Sequence, residues 1–496
     1  MYRFTLASFL IAAAFVSSAV PARAASKELF PEVVSADDLA AAYRTAAGGG
    51  EKFRILIVPG HEPGFGGADF NGAFERDFVV SLAELLRKEL ATDQAFQVTV
   101  ARDTEAWHSA LMTYFEDEAE DLEEYVEDQK KAYARLERRG KIDEITEQVA
   151  HNAAPSEVAL RLYGINRWAN EHGIDLVLHL HLNDETGHAP GVRGAHSGMA
   201  LYVPDGIYGN ARASRAIAEP IFARLSATTA TSTFGFEQAG IVEDRELIAV
   251  GAYNTSEVPS LLIEYGYIYE PRITGEGARD AVFADFAYQT AQGVKDFFGS
   301  PGRPRFSSRA LPATFATDIL ATSTATATPE RAKEVYALQA ALRELGYYPG
   351  TEADLATCPV SGIPGPCTTE AVKAFQRAEG FETTGTLGPR TRAILAQKLN
   401  PAPATPIASL GSCALSAELA LNASDKETNG EVSRLQAILA KDPTIYPEGL
   451  VTGFYGPATD RAVKRFQVEK GIVTPASPAH GVVGPATKAA LAAACT

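Results

Sequence analysis

Between residues 53 and 298, short apolar segments alternate with segments of helical periodicity, and this alternation constrains the fold more than any other feature. β-Branched and apolar content predicts buried strands at 53–59, 97–101, 175–182, 198–203 and 260–264. Apolar residues at helical spacing predict helices at 77–90, 157–171, 211–225 and 281–298. This pattern indicates an α/β domain, with a mixed sheet flanked by helices.

Side chains that can bind a metal lie at the ends of these apolar segments. His61 follows the first strand in ILIVPGHEPG, His181 lies in LVLHLHLND, Glu264 lies in PSLLIEYGY, and Glu75 precedes a helix in FNGAFERDF. Ligands of α/β sheets bind at the carboxyl ends of the strands. Two histidines and one carboxylate are a ligand set of catalytic zinc, and a further carboxylate can act as the base. The pattern therefore favours a zinc hydrolase.

Residues 53–298 resemble the catalytic domain of the zinc-dependent N-acetylmuramoyl-L-alanine amidases, which cut the stem peptide from peptidoglycan glycan. The PGH opening, the Glu before a helix, RWANEHGIDLVLHLHLN and PSLLIEYGYIYEP follow the order of that family. The resemblance implies one Zn²⁺ ion held by His61, Glu75 and His181. It also implies that Glu264 is the general base, which takes a proton from water and passes it to the departing amine.

Two positions around His181 need a separate interpretation. The ligand of the family lies in an H-x-N pattern, here His181-Leu182-Asn183, and the place two residues earlier usually holds serine, whereas this chain has His179. Residues two apart on a strand point to the same face, so either histidine could reach the metal. We interpret His179 and Asn183 as residues that support the ligands or face the substrate, with competition of His179 for zinc as the alternative.

Other interpretations stay open at this point. Glu264 could be a structural acid paired with an arginine such as Arg272. The HEPG segment and His179 depart from the family pattern, so the chain could be a non-catalytic peptidoglycan-binding or amidase-regulating protein with a decayed zinc site. A zinc peptidase that acts on the stem peptide would share every metal feature.

A strongly charged helical segment interrupts the alternation at about 105–155 and resembles an insertion in the family domain. Its charge favours a mostly solvated helix. The alternative is an inhibitory lid over the zinc site, with a protein activator as a candidate partner.

Two internal repeats occupy the C-terminal part of this chain of 496 residues, which is too long for one core. GIPGPCTTEAVKAFQRAEG from Gly362 aligns without a gap to GFYGPATDRAVKRFQVEKG from Gly453, and each copy predicts three helices. Both resemble the small all-α peptidoglycan-binding domains of wall hydrolases, which implies peptidoglycan as a partner.

The repeats set the remaining domain boundaries. We predict domains at 329–400 and 413–496 and linkers at 299–328 and 401–412. Val372 and Phe375, like Val463 and Phe466, recur at helical spacing and are predicted to be core residues.

The N-terminus and the cysteines indicate an exported protein. Residues 1–24 have the apolar run and the Ala-x-Ala site of a cleaved secretory signal, followed by a lead-in at 25–52. We therefore predict a protein secreted to the periplasm or cell envelope, without a membrane span after cleavage. Four cysteines without zinc-knuckle spacing predict the disulfides Cys358–Cys367 and Cys413–Cys495. The formal charge of −17 argues against a nucleic-acid partner.

Overall fold

A computed structural model of the chain describes the residues 30–143, 154–185, 187–189, 191–299, 328–350, 353–380, 382–399, 414–442, 444–446, 451 and 453–494. The predicted signal peptide, most of the two predicted linkers and the predicted Cys413–Cys495 pair lie outside the described residues. Among the described helices, none has both the length and the apolar composition needed to span a membrane.

A six-stranded mixed sheet forms the centre of the α/β domain. Its strands are β1 (Phe53–Pro59), β4 (Phe96–Val100), β5 (Leu176–Asn183), β6 (Ala200–Pro204), β7 (Ile241–Asp244) and β8 (Ser260–Tyr267), and β2 (Asp69–Phe70) with β3 (Ala73–Phe74) forms a separate small hairpin. The order across the sheet is β4-β1-β5-β8-β6-β7. All neighbours are parallel except β6 and β8, which are antiparallel. The predicted mixed sheet is confirmed.

Helices cover both faces of this sheet. They are α1 (Ala36–Ala47), α2 (Glu75–Leu90), α3 (Ser109–Asp117), α4 (Ala119–Arg138), α5 (Ser156–Glu171), α6 (Ala211–Ser226), α7 (Pro271–Thr274) and α8 (Glu276–Phe298). Apolar side chains of α1, α2, α6 and α8 bury one face, and those of α3 and α5 bury the other. Because both faces are covered, the central strands are apolar along almost their whole length, as the sequence pattern indicated.

The predicted strands and long helices are found within a few residues of their expected bounds, but short elements were missed. The strand at Ile241–Asp244, the hairpin at 69–74 and the one-turn helix Pro271–Thr274 had no prediction. Each of these strands and the helix has four residues or fewer, and such a length gives a periodic pattern too few positions to repeat.

The charged segment forms two helices that pack against α5. Leu111 of α3 and Leu122 and Val126 of α4 are buried, and the Tyr125 hydroxyl donates a hydrogen bond of 2.9 Å to the carbonyl oxygen of Thr255. Most other residues of α4 face solvent, in agreement with a mostly solvated helix. Residues 144–153 lie outside the described residues, and the inhibitory lid and its activator stay predictions.

The two repeats fold as small helical units. The first contains α9 (Pro329–Glu344), α10 (Pro366–Ala378) and α11 (Pro389–Leu399), and the second contains α12 (Asp425–Thr428), α13 (Glu431–Leu439), α14 (Pro457–Glu469) and α15 (Pro485–Ala494). The four predicted core residues are confirmed, because each is at most 4% exposed. The predicted Cys358–Cys367 disulfide is formed in the first repeat.

A buried glutamine holds the last two helices of each repeat together. In the second repeat, Gln467 accepts a hydrogen bond from the Gly481 N–H at 2.8 Å and donates to Val482 O and Thr487 Oγ1 at 2.8 and 2.9 Å. In the first repeat, Gln376 makes equivalent bonds to Gly385, Thr386 and Thr391. The sequence repeat therefore corresponds to a repeat of internal polar contacts.

The first repeat packs directly on the α/β domain. Helix α9 lies against α8, where a Cβ at Gly277 would fall 1.5 Å from the carbonyl oxygen of Pro329, so only glycine permits this approach. Arg343 of α9 donates a hydrogen bond of 2.8 Å to the carbonyl oxygen of Ala227. Apolar residues of the first repeat, including Leu338, belong to the same continuous core as the sheet.

Replacing Gln467 with alanine should destabilise the second repeat by about 1–3 kcal/mol, because the buried Gly481 N–H and Val482 carbonyl would lose their partner. Calorimetric unfolding of the full chain measures this change. The exposed Lys426→Ala substitution is the control, with an expected change within about 0.5 kcal/mol. If the Gln467→Ala variant unfolded at the same temperature as the unmodified chain, the stabilising role of this hydrogen-bond network would be contradicted.

Candidate metal centre

Four side chains predicted from the sequence meet at the carboxyl ends of the central strands. His61 follows β1, His181 lies near the end of β5, and Glu264 lies opposite His181 in β8. Glu75 is the first residue of α2, where a carboxylate also favours the positive end of the helix dipole. The parallel pairing of β1, β5 and β8 explains how residues distant in sequence come together.

Three of these side chains form a compact cluster. The Nε2 atom of His61 lies 2.8 Å from Oε2 of Glu75, and Nδ1 of His181 lies 3.1 Å from Oε1 of the same carboxylate. The ring centroids of the two histidines are 4.9 Å apart. One ligand atom from each residue lies within 4.8 Å of the others, so the cluster can surround one metal ion.

Backbone groups fix the Glu75 carboxylate. The Ala68 N–H donates to Oε2 and the Leu182 N–H donates to Oε1, both at 2.9 Å. Burial opposes ionisation of this side chain, but the adjacent His61 and His181 outweigh it and hold the pKa of Glu75 well below its usual range. The cluster therefore presents an ionised, oriented carboxylate between two imidazoles.

The backbone directly after β1 passes close to the ring of His181, and this contact requires glycine at position 60. A Cβ at this position would fall 2.3 Å from Cε1 of His181. The next residue, His61, has a left-handed backbone with a φ of 67°. The Pro-Gly-His sequence thus gives the imidazole of His181 its space and turns His61 towards Glu75.

The residues of the cluster fit a zinc ion. Two imidazoles and a carboxylate are common zinc ligands. The Nε2 atom of His61 is buried and makes no hydrogen bond among the described residues, although it faces the Glu75 carboxylate. A cation would satisfy this nitrogen and compensate the buried negative charge.

Glu264 is a buried carboxyl group beside this cluster. It is 9% exposed, and its Oε2 atom has no hydrogen-bond partner among the described residues. Burial, together with the charges of Glu75 and Glu237, raises the pKa of Glu264 well above its usual value. Arg272 does not pair with it, because its guanidinium binds the Glu270 carboxylate at 2.8 Å.

The two residues predicted to support the site differ in their surroundings. His179 is 1% exposed, and burial, followed by the neighbouring His181, lowers its pKa to about 3. It is therefore a neutral imidazole in the interior. Asn183 donates a hydrogen bond of 2.7 Å from Nδ2 to Oε1 of Glu237.

Glu237 was missed by the sequence analysis. It is 1% exposed and also accepts hydrogen bonds from the hydroxyls of Tyr202 at 2.7 Å and Tyr267 at 3.1 Å. It ends a short 3-10 turn at Gly235–Glu237, where no periodic pattern marks it as buried. Its partners come from three different strands and had no signal in the local sequence.

Glu62 was also missed, and it explains the unusual HEPG segment. Its carboxylate forms an ion pair of 2.8 Å with Arg161 of α5 and accepts a hydrogen bond of 2.9 Å from the indole of Trp107. Arg102 adds hydrogen bonds to the carbonyl oxygens of Pro59 and Gly60. These contacts hold the segment that carries His61.

Residues 55–296 match the family model described as N-acetylmuramoyl-L-alanine amidase. Residues 331–395 and 428–491 match the model described as putative peptidoglycan binding domain. A search of curated proteins finds no match.

Solved structures of amidases match about half of this chain. An N-acetylmuramoyl-L-alanine amidase from Clostridium difficile 630 is 18% identical, with a TM-score of 0.32 and coverage of 51% of this chain and 99% of that chain. The amidase Ami1 from Mycobacterium smegmatis is 14% identical, with a TM-score of 0.33 and coverage of 50% and 100%.

Substituting Gly60 with alanine should displace the His181 ring and weaken metal binding about 10–100-fold, as for other changes that disturb ligand orientation. Zinc titration of the purified full chain measures the affinity. Gly388→Ala is the matched control, because a Cβ at Gly388 has no atom within 4 Å. Unchanged zinc affinity of a folded Gly60→Ala protein would contradict the assigned geometry.

Proposed function

Because residues 55–296 form a domain of the N-acetylmuramoyl-L-alanine amidase family, we propose that this chain is a zinc-dependent peptidoglycan amidase. Its substrate is the amide between the lactyl group of N-acetylmuramic acid and the L-alanine of the stem peptide. The observation that carries the proposal is the cluster of His61, Glu75 and His181, with Glu264 buried beside it.

The three ligands have separate roles in this proposal. His61 and His181 contribute neutral nitrogen donors, and Glu75 contributes the negative charge, held in place by the N–H groups of Ala68 and Leu182. The chemistry that zinc supplies in such a site is a lower pKa of water and polarisation of the scissile carbonyl. His179 and Asn183 lie on the same strand as His181, and Glu237 fixes Asn183.

Glu264 is the general base. Burial raises the pKa of Glu264, so its carboxylate binds a proton more strongly than an exposed one would, and a cation in the adjacent cluster would favour the ionised starting state that a base needs. It removes a proton from the attacking water as the water oxygen bonds to the carbonyl carbon, and it then donates that proton to the amide nitrogen as the C–N bond breaks. The products are the lactyl carboxylic acid and the neutral amino group of L-alanine, and Glu264 returns to its starting carboxylate.

The remaining domains agree with action on the cell wall. Two peptidoglycan-binding domains would hold the chain on the polymer that the α/β domain hydrolyses. The Cys358–Cys367 disulfide favours an oxidising, extracytoplasmic compartment. We therefore propose secretion to the periplasm or cell envelope, with removal of a signal peptide at 1–24.

Substituting Glu264 with glutamine should lower kcat on peptidoglycan by about 10²–10⁴-fold, because the base is removed while the size of the side chain is kept. Mass spectrometry of released fragments gives both the rate and the bond cut. Zinc content should stay near one ion per chain.

The matched control for this substitution is the exposed Glu257→Gln, which should keep full activity. Full activity of Glu264→Gln would remove Glu264 from the mechanism. Fragments cut within the stem peptide would indicate a zinc peptidase. A metal-bound but inactive unmodified chain would indicate a non-catalytic wall-binding or regulatory protein.

Removal of metal by a chelator should abolish hydrolysis, and addition of zinc should restore it. Magnesium should not restore activity, because histidine nitrogen is a poor ligand for that ion. The His181→Ala variant should lose activity and should not recover with zinc at the concentration that restores the unmodified chain. Full activity of the metal-free chain would contradict the proposed zinc dependence.

A further inference from the structure

Arg76 lies next to the cluster and has no role in the proposed hydrolysis. It follows Glu75 in α2, and its backbone carbonyl oxygen accepts a hydrogen bond of 3.0 Å from Nη2 of Arg102. Its Nη1 atom donates a hydrogen bond of 3.2 Å to the carbonyl oxygen of Gly66. Its Cζ atom lies 4.0 Å from the centroid of the Phe74 ring. The guanidinium is therefore held in place from two sides.

The segment that binds this guanidinium also lines the cluster. A Cβ at Gly66 would fall 3.6 Å from Nδ1 of His61. A Cβ at Gly67 would fall 2.8 Å from Cδ2 of His61 and 3.1 Å from Oε2 of Glu75. The peptide unit between the two glycines thus contacts the guanidinium through its carbonyl oxygen and adjoins two of the three predicted ligands.

Arg76 lacks the carboxylate partner that other half-buried arginines of the α/β domain have. Arg161 pairs with Glu62 at 2.8 Å, and Arg245 pairs with Asp205 at 3.2 Å. No aspartate or glutamate in the described part of the chain forms an ion pair with Arg76, which is itself half-buried. A guanidinium has five N–H donors, and the bond to the segment before α2 uses one of them. The remaining donors can bind a carboxylate from outside the chain.

The proposed substrate carries a carboxyl group close to the amide that is cut. The residue after L-alanine in a stem peptide is a γ-linked glutamate, so its α-carboxyl group stays outside the peptide chain and is either free or amidated. An extended chain advances about 3.5 Å per residue, which places this group on the order of 7 Å from the scissile amide. A peptide whose amide lies at the cluster can therefore reach the neighbouring Arg76.

We propose that Arg76 is a specificity-determining residue that binds the free α-carboxylate of the second stem residue, so that the chain prefers peptidoglycan in which this group is not amidated. The inference rests on the proposed function, because it concerns the substrate of the same site. A guanidinium binds a carboxylate through two charge-assisted hydrogen bonds, whereas a carboxamide offers one neutral acceptor. The contacts with Gly66 and Phe74 lower the entropic cost of this binding, because they hold the guanidinium in advance.

Hydrolysis of two soluble muramoyl peptides tests this proposal, when the peptides differ only in whether that α-carboxyl group is free or a carboxamide. The kcat/KM of the unmodified chain should be about tenfold or more higher for the free carboxylate. Arg76→Gln should lower kcat/KM for this peptide by the same factor and leave the amidated peptide unchanged, so that the preference disappears. Arg76→Lys keeps the charge without the planar fork and should retain only part of the preference.

Arg279 of α8 provides the matched control. Its guanidinium is also half-buried and lies over a phenylalanine of α2, with Cζ 4.4 Å from the centroid of the Phe78 ring. Phe78 is one helical turn beyond Phe74, so Arg279 lies farther from the cluster along α2. The Arg279→Gln variant should keep the full preference for the free carboxylate.

Two results would overturn the proposal. One is equal kcat/KM of the unmodified chain for the two peptides. The other is an equal loss on both peptides in Arg76→Gln together with loss of zinc, which would show that Arg76 only supports the segment around the metal. The expected zinc content of Arg76→Gln is that of the unmodified chain, because the hydrogen bonds that hold the Glu75 carboxylate do not involve Arg76.

Binding measurements separate this inference from the proposed hydrolysis. Titration calorimetry of Glu264→Gln with the same two peptides, alone and combined with Arg76→Gln, measures the preference without turnover. Tighter binding of the free carboxylate that Arg76→Gln removes, together with no hydrolysis by the unmodified chain, would refute only the amidase proposal. Hydrolysis of both peptides at equal rates by the unmodified chain would refute only the role of Arg76.

Discussion

The buried Glu75 carboxylate, held between two imidazoles, is the interaction on which the site depends. An ionised side chain that is 2% exposed is costly unless charge and hydrogen bonds compensate it. Here the compensation comes from His61, His181 and two backbone N–H groups. These partners belong to the segment after β1, to β5 and to the segment before α2. The three segments must therefore be correctly placed for the charge to remain buried.

The sequence predicted this centre because its main residues lie in or next to regular elements. His61 follows an apolar strand, and His181 and Glu264 lie in the second half of two others, and such strands can be recognised from their composition. Glu237 could not be found this way, because its burial results from the hydroxyls of Tyr202 and Tyr267 on separate strands. For the same reason, the ion pair of Glu62 with Arg161 could not be predicted from the sequence. Both residues are charged and their segments were recognised, but the pairing joins two separate segments of the chain.

The repeats show a different limit of prediction from sequence. Their cores were predicted correctly, because helical periodicity and the shared glutamine contacts are internal to each copy. Their described surfaces are not equivalent, because α9 of the first repeat packs on α8 and Tyr347 of the first repeat is covered by Phe454 of the second. Two similar sequences thus acquire different environments from their order along the chain. No pattern within one repeat contains that information.

The continuous core between the sheet and the first repeat has a mechanical consequence. Since α9 packs on α8 and Phe454 packs on Tyr347, a molecule anchored by its last domain holds the cluster of His61, Glu75 and His181 at a constant distance from the anchor. The position of each cut relative to the anchoring point would then be set by the dimensions of the folded protein. Lengthening the segment at 300–327 would leave this reach unchanged as long as the two packed contacts persist.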